Sequence, residues 1–269
     1  MSRPLDRRAP ALWMAIPALC LLFIPIAALA LASSPADLSD ALSHPLVGPA
    51  LWLSIRTSIL SLGIIILIGT PLAWWLARSS GRSAATVDVL LDLPIVLPPA
   101  VIGIALLETF GRQGLFGDTL TAFGIQIPFT TAAVVLAQVT VSAPFYIKAS
   151  TLAFRRLESD LLLVARTLGL TPWRTFLRVA LPMALPGLVT GAALSWARAL
   201  GEFGATLLFA GSLPGTTQTM PLAIYTALES DVDVARALAL ILASLSVVLL
   251  FGLRLTPALW RTLRAGGRG

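Results

Sequence analysis

The chain has 269 residues, of which 57% are hydrophobic and only 12% are charged, and its mean hydropathy is +0.89. A soluble globular protein carries about 25% charged residues, so this composition excludes a soluble domain and predicts an all-α, polytopic membrane protein. The net charge of +6 does not indicate nucleic-acid binding, because the Lys and Arg residues cluster in alternate loops, as membrane topology requires. With Cys20 the single cysteine and His44 the single histidine, we expect neither a disulfide framework nor a metal site.

The first apolar run covers residues 11–32 and is long enough to cross a bilayer, which takes about 20 residues. Its end at residues 30–32 also resembles a signal-peptidase site, so both a retained helix or signal anchor and a cleaved leader stay open. Residues 33–50 contain no Lys or Arg and are expected outside. The next run, 51–77, ends beside Arg78, which favours the cytoplasm, so this helix runs inward.

Residues 89–110 are predicted to return outward as one span that contains three prolines, Pro94, Pro98 and Pro99. Proline removes backbone hydrogen bonds that lipid cannot replace, so this span is expected to face the interior of the helix bundle. A packing kink without significance for transport is the alternative. Residues 111–129 are expected to form an outer segment with turns at its glycines.

Residues 130–147 are predicted to cross inward again and to lead into a basic loop. Six Lys or Arg residues lie between positions 148 and 178, against none in residues 33–50 and none in residues 211–234. This asymmetry places the basic loop in the cytoplasm.

Within the basic loop, residues 155–168 can form one short helix. Thr171 is a good N-cap and Pro172 suits the first helical turn, so a second helix is predicted to reach about residue 180. Gly169, between the two, suits a left-handed helix terminator. The prediction is a helix-turn-helix outside the membrane that binds a partner, and the alternative is a solvated loop that only fixes topology.

Residues 183–210 are predicted to form one outward helix rich in small residues. Ser195 is one of these small residues, and Gly187 and Gly191 make a small-xxx-small pair, which lets another helix approach closely. Arg198 and Glu202 follow one turn apart at mid-membrane, where charges are costly and are expected to pair. Whether this pair lies near a substrate path or only locks helices together stays open.

Residues 211–234 are predicted to form an acidic outer loop with Glu229, Asp231 and Asp233, and residues 220–227 within it could make a short re-entrant or interfacial turn.

Residues 235–255 form the last predicted span, and the arginines beyond it return the C-terminus to the cytoplasm, giving about six spans with both termini inside. We divide the chain into an N-terminal helix and outer loop, 1–50, a membrane domain, 51–258, containing the loop 149–182, and a basic cytoplasmic tail, 259–269.

No Gly-x-x-x-x-Gly-Lys-Ser/Thr phosphate-binding loop is present, because Lys148 is the only lysine and no such glycine spacing surrounds it. If the chain moves solute by ATP hydrolysis, the ATPase is a separate subunit. We therefore expect no catalytic residue and no bound cofactor in this chain.

The basic loop resembles the cytoplasmic loop of ABC importer permeases, which is summarised as Glu-Ala-Ala, three residues, Gly, nine residues, Ile, one residue, Leu-Pro. The opening triplet differs, because residues 163–165 are Leu-Val-Ala, and Val179 replaces the usual Ile. The resemblance implies that the loop couples to an ATPase, through the following residues: Ala165, Arg166, Gly169, Pro172, Val179, Leu181 and Pro182.

Further stretches resemble the permeases of molybdate and tungstate importers: residues 69–73, 97–103, 197–206, 214–219 and 221–225. The run at residues 198–204 is shared with sulfate and thiosulfate permeases, so a sulfate or thiosulfate importer is the first alternative. An ion-coupled secondary transporter is a second alternative from another class. The sequence does not distinguish molybdate from tungstate as the substrate. It also does not show whether the ATPase has a regulatory domain that senses the anion.

The resemblance implies a type I (MetI-like) permease of a bacterial inner membrane that works as a homodimer by alternating access. It implies two ATPase subunits that hold ATP and Mg²⁺, and an extracytoplasmic oxyanion-binding protein. The candidates for the pathway or for helix packing are Pro98, Pro99, Gly187, Gly191, Ser195, Arg198 and Glu202. The candidates for docking the binding protein are Glu229, Asp231 and Asp233.

Overall fold

The computed structural model describes residues 8–32 and 43–266, with side chains described for residues 15–32, 43–249 and 251–252. Every regular element in these ranges is a helix. The first six are α1 (Arg8–Leu31), α2 (Val47–Arg78), α3 (Arg82–Val96), α4 (Pro99–Phe110), α5 (Gly117–Ala122) and α6 (Thr131–Arg155). The next six are α7 (Ser159–Thr167), α8 (Pro172–Thr175), α9 (Leu181–Leu200), α10 (Gly204–Ala210), α11 (Met220–Ser230) and α12 (Val232–Gly266), with a π-helical segment, Phe176–Ala180, joining α8 to α9.

Four helical stretches are long and apolar enough to cross a membrane: Val47–Arg78, Thr131–Arg155, Pro172–Leu200 and Val232–Leu249. The bent pair α3 and α4 can supply a fifth span. In α1 the described apolar stretch, Ala15–Leu31, is shorter than these. The predicted total of six spans therefore requires α1 to cross as well.

The prediction of one continuous helix over residues 89–110 is wrong, although the bent pair can still form one span. The chain bends by 111° between α3 and α4. Leu97 and Pro98 are both extended, with ψ of 137° at each. Each precedes a proline, whose ring disfavours the helical conformation of the residue before it, so two consecutive prolines end one helix and start another.

The predicted helix over residues 183–210 is also broken. It ends at Leu200, and α10 begins at Gly204 after a turn in which Phe203 has φ −126° and ψ −57°. No proline marks this break. It lies between Gly201 and Gly204, and a side chain stabilises it, because the Glu202 carboxylate accepts a hydrogen bond from the Ala205 backbone N–H at 2.8 Å and so caps α10.

The basic loop, predicted to be cytoplasmic, is shorter than predicted. Helix α6 does not end at residue 147 but continues to Arg155, and the predicted helix over residues 155–168 is confined to α7. The second loop helix is not a separate element either, since α8 and the π-helical segment run directly into α9. A basic residue alone does not end a helix, and Lys148 is accommodated by two carboxylates of α3 (below).

The outer loop and the C-terminal span differ from prediction in extent. Residues 220–227 belong to a full helix, α11, and α12 starts at Val232, ahead of the predicted residue 235. Helix α12 continues into the predicted tail, 259–269, as far as Gly266. Much of the predicted outer loop 33–50 and the last three residues of the tail lie outside the described residues.

Helix α6 is the centre of the bundle and packs against both α2 and α9. Its apolar contacts form the main core cluster, in which Tyr146 and Phe154 are almost fully buried. Close approach to α2 depends on Gly69, where an added Cβ would lie 3.0 Å from the Tyr146 ring. Small residues at helix crossings permit such packing where lipid supplies no hydrophobic drive for helix association.

A buried polar seam, formed by hydroxyls on one side of α2, joins the same helices. Ser61 donates to the Gln138 amide oxygen of α6 at 2.9 Å, and the Trp196 indole of α9 donates to Ser58 at 2.9 Å. Ser54 accepts from the Met220 backbone N–H at the start of α11 at 2.7 Å. These bonds fix the rotation of α2 about its axis.

Candidate docking loop and membrane path

The turn between α7 and α8 has the geometry that the sequence predicts. Gly169 has φ of +87°, in the left-handed region. The Ala165 carbonyl accepts from the Leu170 N–H at 3.2 Å, and the Arg166 carbonyl accepts from the Gly169 N–H at 3.0 Å. This pair of bonds is a Schellman motif, which requires a residue without a Cβ penalty at the position of Gly169.

The start of α8 is fixed by its predicted cap. The Thr171 hydroxyl accepts from the Arg174 backbone N–H at 3.4 Å, and Pro172 occupies the first turn. The turn of the loop therefore has one defined conformation, set by three neighbouring residues of the sequence.

Helix α7 is only half covered by its own chain. Leu162 and Ala165 are buried, whereas the stripe beside them is exposed and apolar. We call this exposed surface the α7 docking face: Leu161, Val164 and Leu168. These three residues follow the helical repeat of three and four and form one apolar stripe, whereas the exposed Arg166, two residues from both Val164 and Leu168, lies on another side of the helix.

An aromatic cluster connects the loop to two membrane helices. The Phe176 ring, at the end of α8, lies 5.2 Å from Trp74 of α2 and 6.0 Å from Phe154 of α6, measured between ring centroids. Trp173 stacks on Phe176 at 5.7 Å. A displacement of α8 therefore acts directly on α2 and α6.

The loop joins α9 through the π-helical segment, which contains Val179. There the Leu181 N–H donates to the Phe176 carbonyl, five residues back. Pro182 has no N–H to donate, so the regular ladder is interrupted where the wider turn forms. Leu181 and Pro182 are half-buried at the start of α9.

Three pathway candidates of the sequence analysis face α6 and form what we call the α6–α9 seam. A Cβ on Gly187 would collide with Ala153, and a Cβ on Gly191 would lie 2.9 Å from the Cβ of Ala149. Ser195 donates to the Ser142 carbonyl at 2.9 Å. Gly187, Gly191 and Ser195 therefore serve helix packing.

The two breaks in the membrane helices lie against each other. A Cβ on Gly204 would be 3.2 Å from the Cβ of Pro99, and a Cβ on Gly103 would be 2.9 Å from the carbonyl oxygen of Ala205. Helices α4 and α10 thus cross without side chains between them. At this junction Pro98 is exposed and Pro99 is half-buried, so non-helical backbone reaches the surface of the chain.

Arg198 and Glu202 form the ion pair that their spacing predicts, with 2.8 Å between Nη1 and Oε2. The Glu202 side chain is fully buried, while that of Arg198 is 28% exposed. Since the second carboxylate oxygen caps α10, Glu202 holds the break together and neutralises the nearby cation. The pair is thus built into the junction.

The predicted acidic residues meet between α11 and α12. Asp231 caps α12, accepting from the Asp233 N–H at 2.9 Å and the Val234 N–H at 3.2 Å. Asp233 pairs with Arg236 at 3.0 Å, and Glu229 is exposed at the end of α11. Two of the three acids therefore have local roles.

Sequence analysis missed a cluster beside the docking loop. The Lys148 ammonium lies 2.7 Å from Asp92 and 3.4 Å from Asp88, so α6 is tied to α3. The signal was present, because the two carboxylates are four residues apart and Lys148 is the only lysine of the chain. Within the described residues no three His, Cys, Asp or Glu side chains are grouped to hold a metal ion.

The sequence of this chain is similar to those of known transport proteins. Residues 69–256 match the family model described as binding-protein-dependent transport system inner membrane component. The chain is 44% identical to the molybdenum transport system permease protein ModB of Mycobacterium tuberculosis, over 89% of this chain and 92% of that protein. It is 38% identical to the molybdenum transport system permease protein ModB of Escherichia coli K12, over 75% of this chain and 88% of that protein.

Two solved structures share the fold at low sequence identity. A bacterial ABC transporter involved in the import of the acidic polysaccharide alginate matches with a TM-score of 0.72 at 16% identity, over 92% of this chain and 94% of that one. The MetNI methionine ABC transporter in an inward-facing conformation matches with a TM-score of 0.61 at 20% identity, over 82% of this chain and 95% of that one.

Proposed function

This chain belongs to the family of binding-protein-dependent transport system inner membrane components, and from that premise we propose that it is the permease of an ATP-driven importer for molybdate. The assignment of the substrate rests on sequence identities of 44% and 38%, over most of this chain, with two proteins named as molybdenum transport permeases. The fold is that of ABC importer permeases. The chain is a membrane transport component and not an enzyme.

The driving reaction takes place in a partner. We propose that two ATPase subunits, which hold ATP and Mg²⁺, bind the α7 docking faces of two copies of this chain. The support is the exposed apolar face itself and the aromatic cluster behind it, which connects the docked surface to α2 and α6. Rigid-body displacement of α7 and α8 then alternates the access of the path.

The path is proposed to run along the interface of the two copies, past the junction of α4 and α10. Non-helical backbone at membrane depth is tolerated where it is buried in protein or lines a water-filled cavity. Pro98 and Pro99 therefore remain the candidates for lining the path. Arg198 and Glu202 stabilise the junction and do not line the path themselves. The dianion is expected to meet backbone amides, hydroxyls and water, because a strong cationic site would hinder its release.

A binding protein is proposed to deliver the anion from the side opposite the docking loop, with Glu229 in the docking surface. On this topology the protein lies in the bacterial inner membrane, and the docking loop and both termini face the cytoplasm. Tungstate, which is nearly equal to molybdate in size and charge, is expected to follow the same path.

The test is ATPase activity of the permease reconstituted in lipid with the ATPase encoded beside it. The binding protein is added empty, or loaded with molybdate, tungstate or sulfate. We expect molybdate and tungstate to stimulate hydrolysis and sulfate to have no effect, with an ATPase lacking its phosphate-binding lysine as the background. Stimulation by sulfate alone would assign the chain to sulfate or thiosulfate import, and failure of the ATPase to associate would contradict the importer itself.

A further inference from the structure

An apolar groove of 790 Å³ runs between α2 and the start of α9, beside the docking loop. This volume lies within the range of about 300–1,000 Å³ typical of ligand sites. On one side it is lined by Ile66, Leu67 and Trp74 of α2, and on the other by Trp173, Leu185 and Val189. It is not a path for an oxyanion, because its few polar groups include the Thr70 and Tyr146 hydroxyls, which are 2.6 Å apart and bond to each other.

The groove opens to the side of the bundle. Leu67 is 75% exposed and Ile66 is also exposed, although both belong to a helix that is apolar enough to cross a membrane. At membrane depth such a surface meets either acyl chains or another protein.

The end of the groove at the docking loop is cationic. The Arg78 guanidinium lies over the Trp74 ring, 4.8 Å from its centroid, so the charge is held at the rim of the groove. Arg155 is fixed nearby, since it donates to the Leu76 carbonyl at 3.4 Å. Neither arginine makes an ion pair within the described part of the chain.

From this arrangement we propose that the groove binds an anionic phospholipid from the leaflet on the docking-loop side. An acyl chain lies between α2 and α9, and the phosphate pairs with Arg78. Charge complementarity favours this occupant over a second copy of the chain. If a second copy packed here about a two-fold axis through the groove, the two Arg78 side chains would approach and repel each other. A lipid phosphate instead neutralises the charge of Arg78.

The test is native mass spectrometry of the full-length chain titrated with phosphatidylglycerol or with phosphatidylcholine of the same acyl chains. Wild-type protein is expected to retain phosphatidylglycerol more tightly. One cation near a membrane surface contributes about 1 kcal/mol, so Arg78→Gln is expected to weaken phosphatidylglycerol binding about fivefold and to leave phosphatidylcholine unchanged. Arg82→Gln is the matched control, because Arg82 is an exposed arginine that, unlike Arg78, is not held over a ring that lines the groove.

A second variant tests the groove itself. Val189→Trp fills it from the α9 side and is expected to weaken both lipids, because it displaces the acyl chain and not the phosphate contact. Equal retention of the two lipids, or equal effects of Arg78→Gln and Arg82→Gln, would overturn the proposal. It would also be wrong if the protein were dimeric in these spectra without lipid and Val189→Trp made it monomeric, since a second copy would then occupy the groove. None of these outcomes depends on the anion transported.

Discussion

At the scale of single residues, Gly169 is the position where conformation and proposed function meet most directly. Its φ of +87° costs a residue with a side chain about 1–2 kcal/mol, and a β-branched residue suffers most. A Cβ added here has no heavy atom within 4 Å, so we attribute the expected effect to the backbone. We expect Gly169→Val to distort the Schellman turn and to lower the molybdate imported per ATP hydrolysed in proteoliposomes.

The control for Gly169 is available in the same chain. Gly124 has φ of +68° and equally free surroundings, but it lies in the loop after α5, far along the chain from the docking loop. Gly124→Val should reproduce the strain and leave the ratio of transport to hydrolysis unchanged. If the two variants have the same ratio, the conformation of the α7–α8 turn has no part in coupling.

The ion pair at residues 198 and 202 predicts an asymmetry between two single variants. Arg198→Ala leaves the fully buried Glu202 carboxylate without its cation, whereas Glu202→Ala leaves an arginine that is 28% exposed and can reach water. Removing one partner of a buried pair costs about 3–5 kcal/mol, and partial exposure reduces this. We therefore expect Arg198→Ala to unfold at a lower temperature than Glu202→Ala in detergent.

The cap on α10 reduces the expected difference between the two variants. Glu202→Ala also removes the hydrogen bond to the Ala205 N–H, which lowers the stability of this variant by about 1 kcal/mol. The double variant separates the two contributions. It should be no less stable than Arg198→Ala alone if the stranded carboxylate is the main cost. A larger loss in Glu202→Ala than in Arg198→Ala would show that the cap outweighs the charge.

At the scale of elements, the α6–α9 seam allows a test of packing without electrostatics. Gly191→Val places a side chain against Ala149, where even a Cβ would be only 2.9 Å away, so the helices must separate. Overpacking of this kind costs about 1–3 kcal/mol. We expect a clear fall in the unfolding temperature measured in detergent.

Gly63→Val, in α2, is the matched control for Gly191. A Cβ there has no heavy atom within 4 Å, while both substitutions change helix propensity alike. The difference between the two unfolding temperatures therefore measures contact across the seam. Equal unfolding temperatures would mean that α6 and α9 are not closely packed in the membrane.

The helical breaks show how far the elements could be predicted from the sequence. Hydropathy identifies the spans, and the Pro98-Pro99 pair marks an interruption, but the 111° bend also depends on the contact of Gly103 with Ala205, far along the chain. The break at residues 201–203 has no proline, and it is held by a carboxylate that caps the next helix, Glu202. Long-range packing and side-chain caps leave no periodic signal.

The docking loop was predicted better in its turn than in its helices. Gly169, Thr171 and Pro172 act on their immediate neighbours, so their conformations follow from local rules. The end of α6 does not, because the charge of Lys148 predicts a loop residue, whereas Asp88 and Asp92 neutralise it within the helix. The groove was also missed, since it exists only where α2 and α9 meet.

At the scale of the whole molecule, the proposed function requires two docking surfaces that work independently. The α7 docking face follows α6 at the basic end of the bundle, and Glu229 lies at the end of α11, just before the last membrane helix, on the side predicted to be external. Of the three acids there, Glu229 is the cleanest to change, because Asp231 caps α12 and Asp233 pairs with Arg236.

These positions predict a double dissociation. Val164→Asp puts a charge into the exposed apolar face of α7 and should weaken association with the ATPase, because the charge would have to be desolvated on docking. It should not change binding of the loaded binding protein.

Glu229→Lys should have the reverse effect: it should slow association of the binding protein, most clearly at low salt, where surface charges steer encounter, and leave association with the ATPase unchanged. Association of each variant with each partner can be measured in nanodiscs by surface plasmon resonance. If Glu229→Lys impaired ATPase association instead, the two faces would lie on the same side of the membrane, and the predicted topology would be wrong.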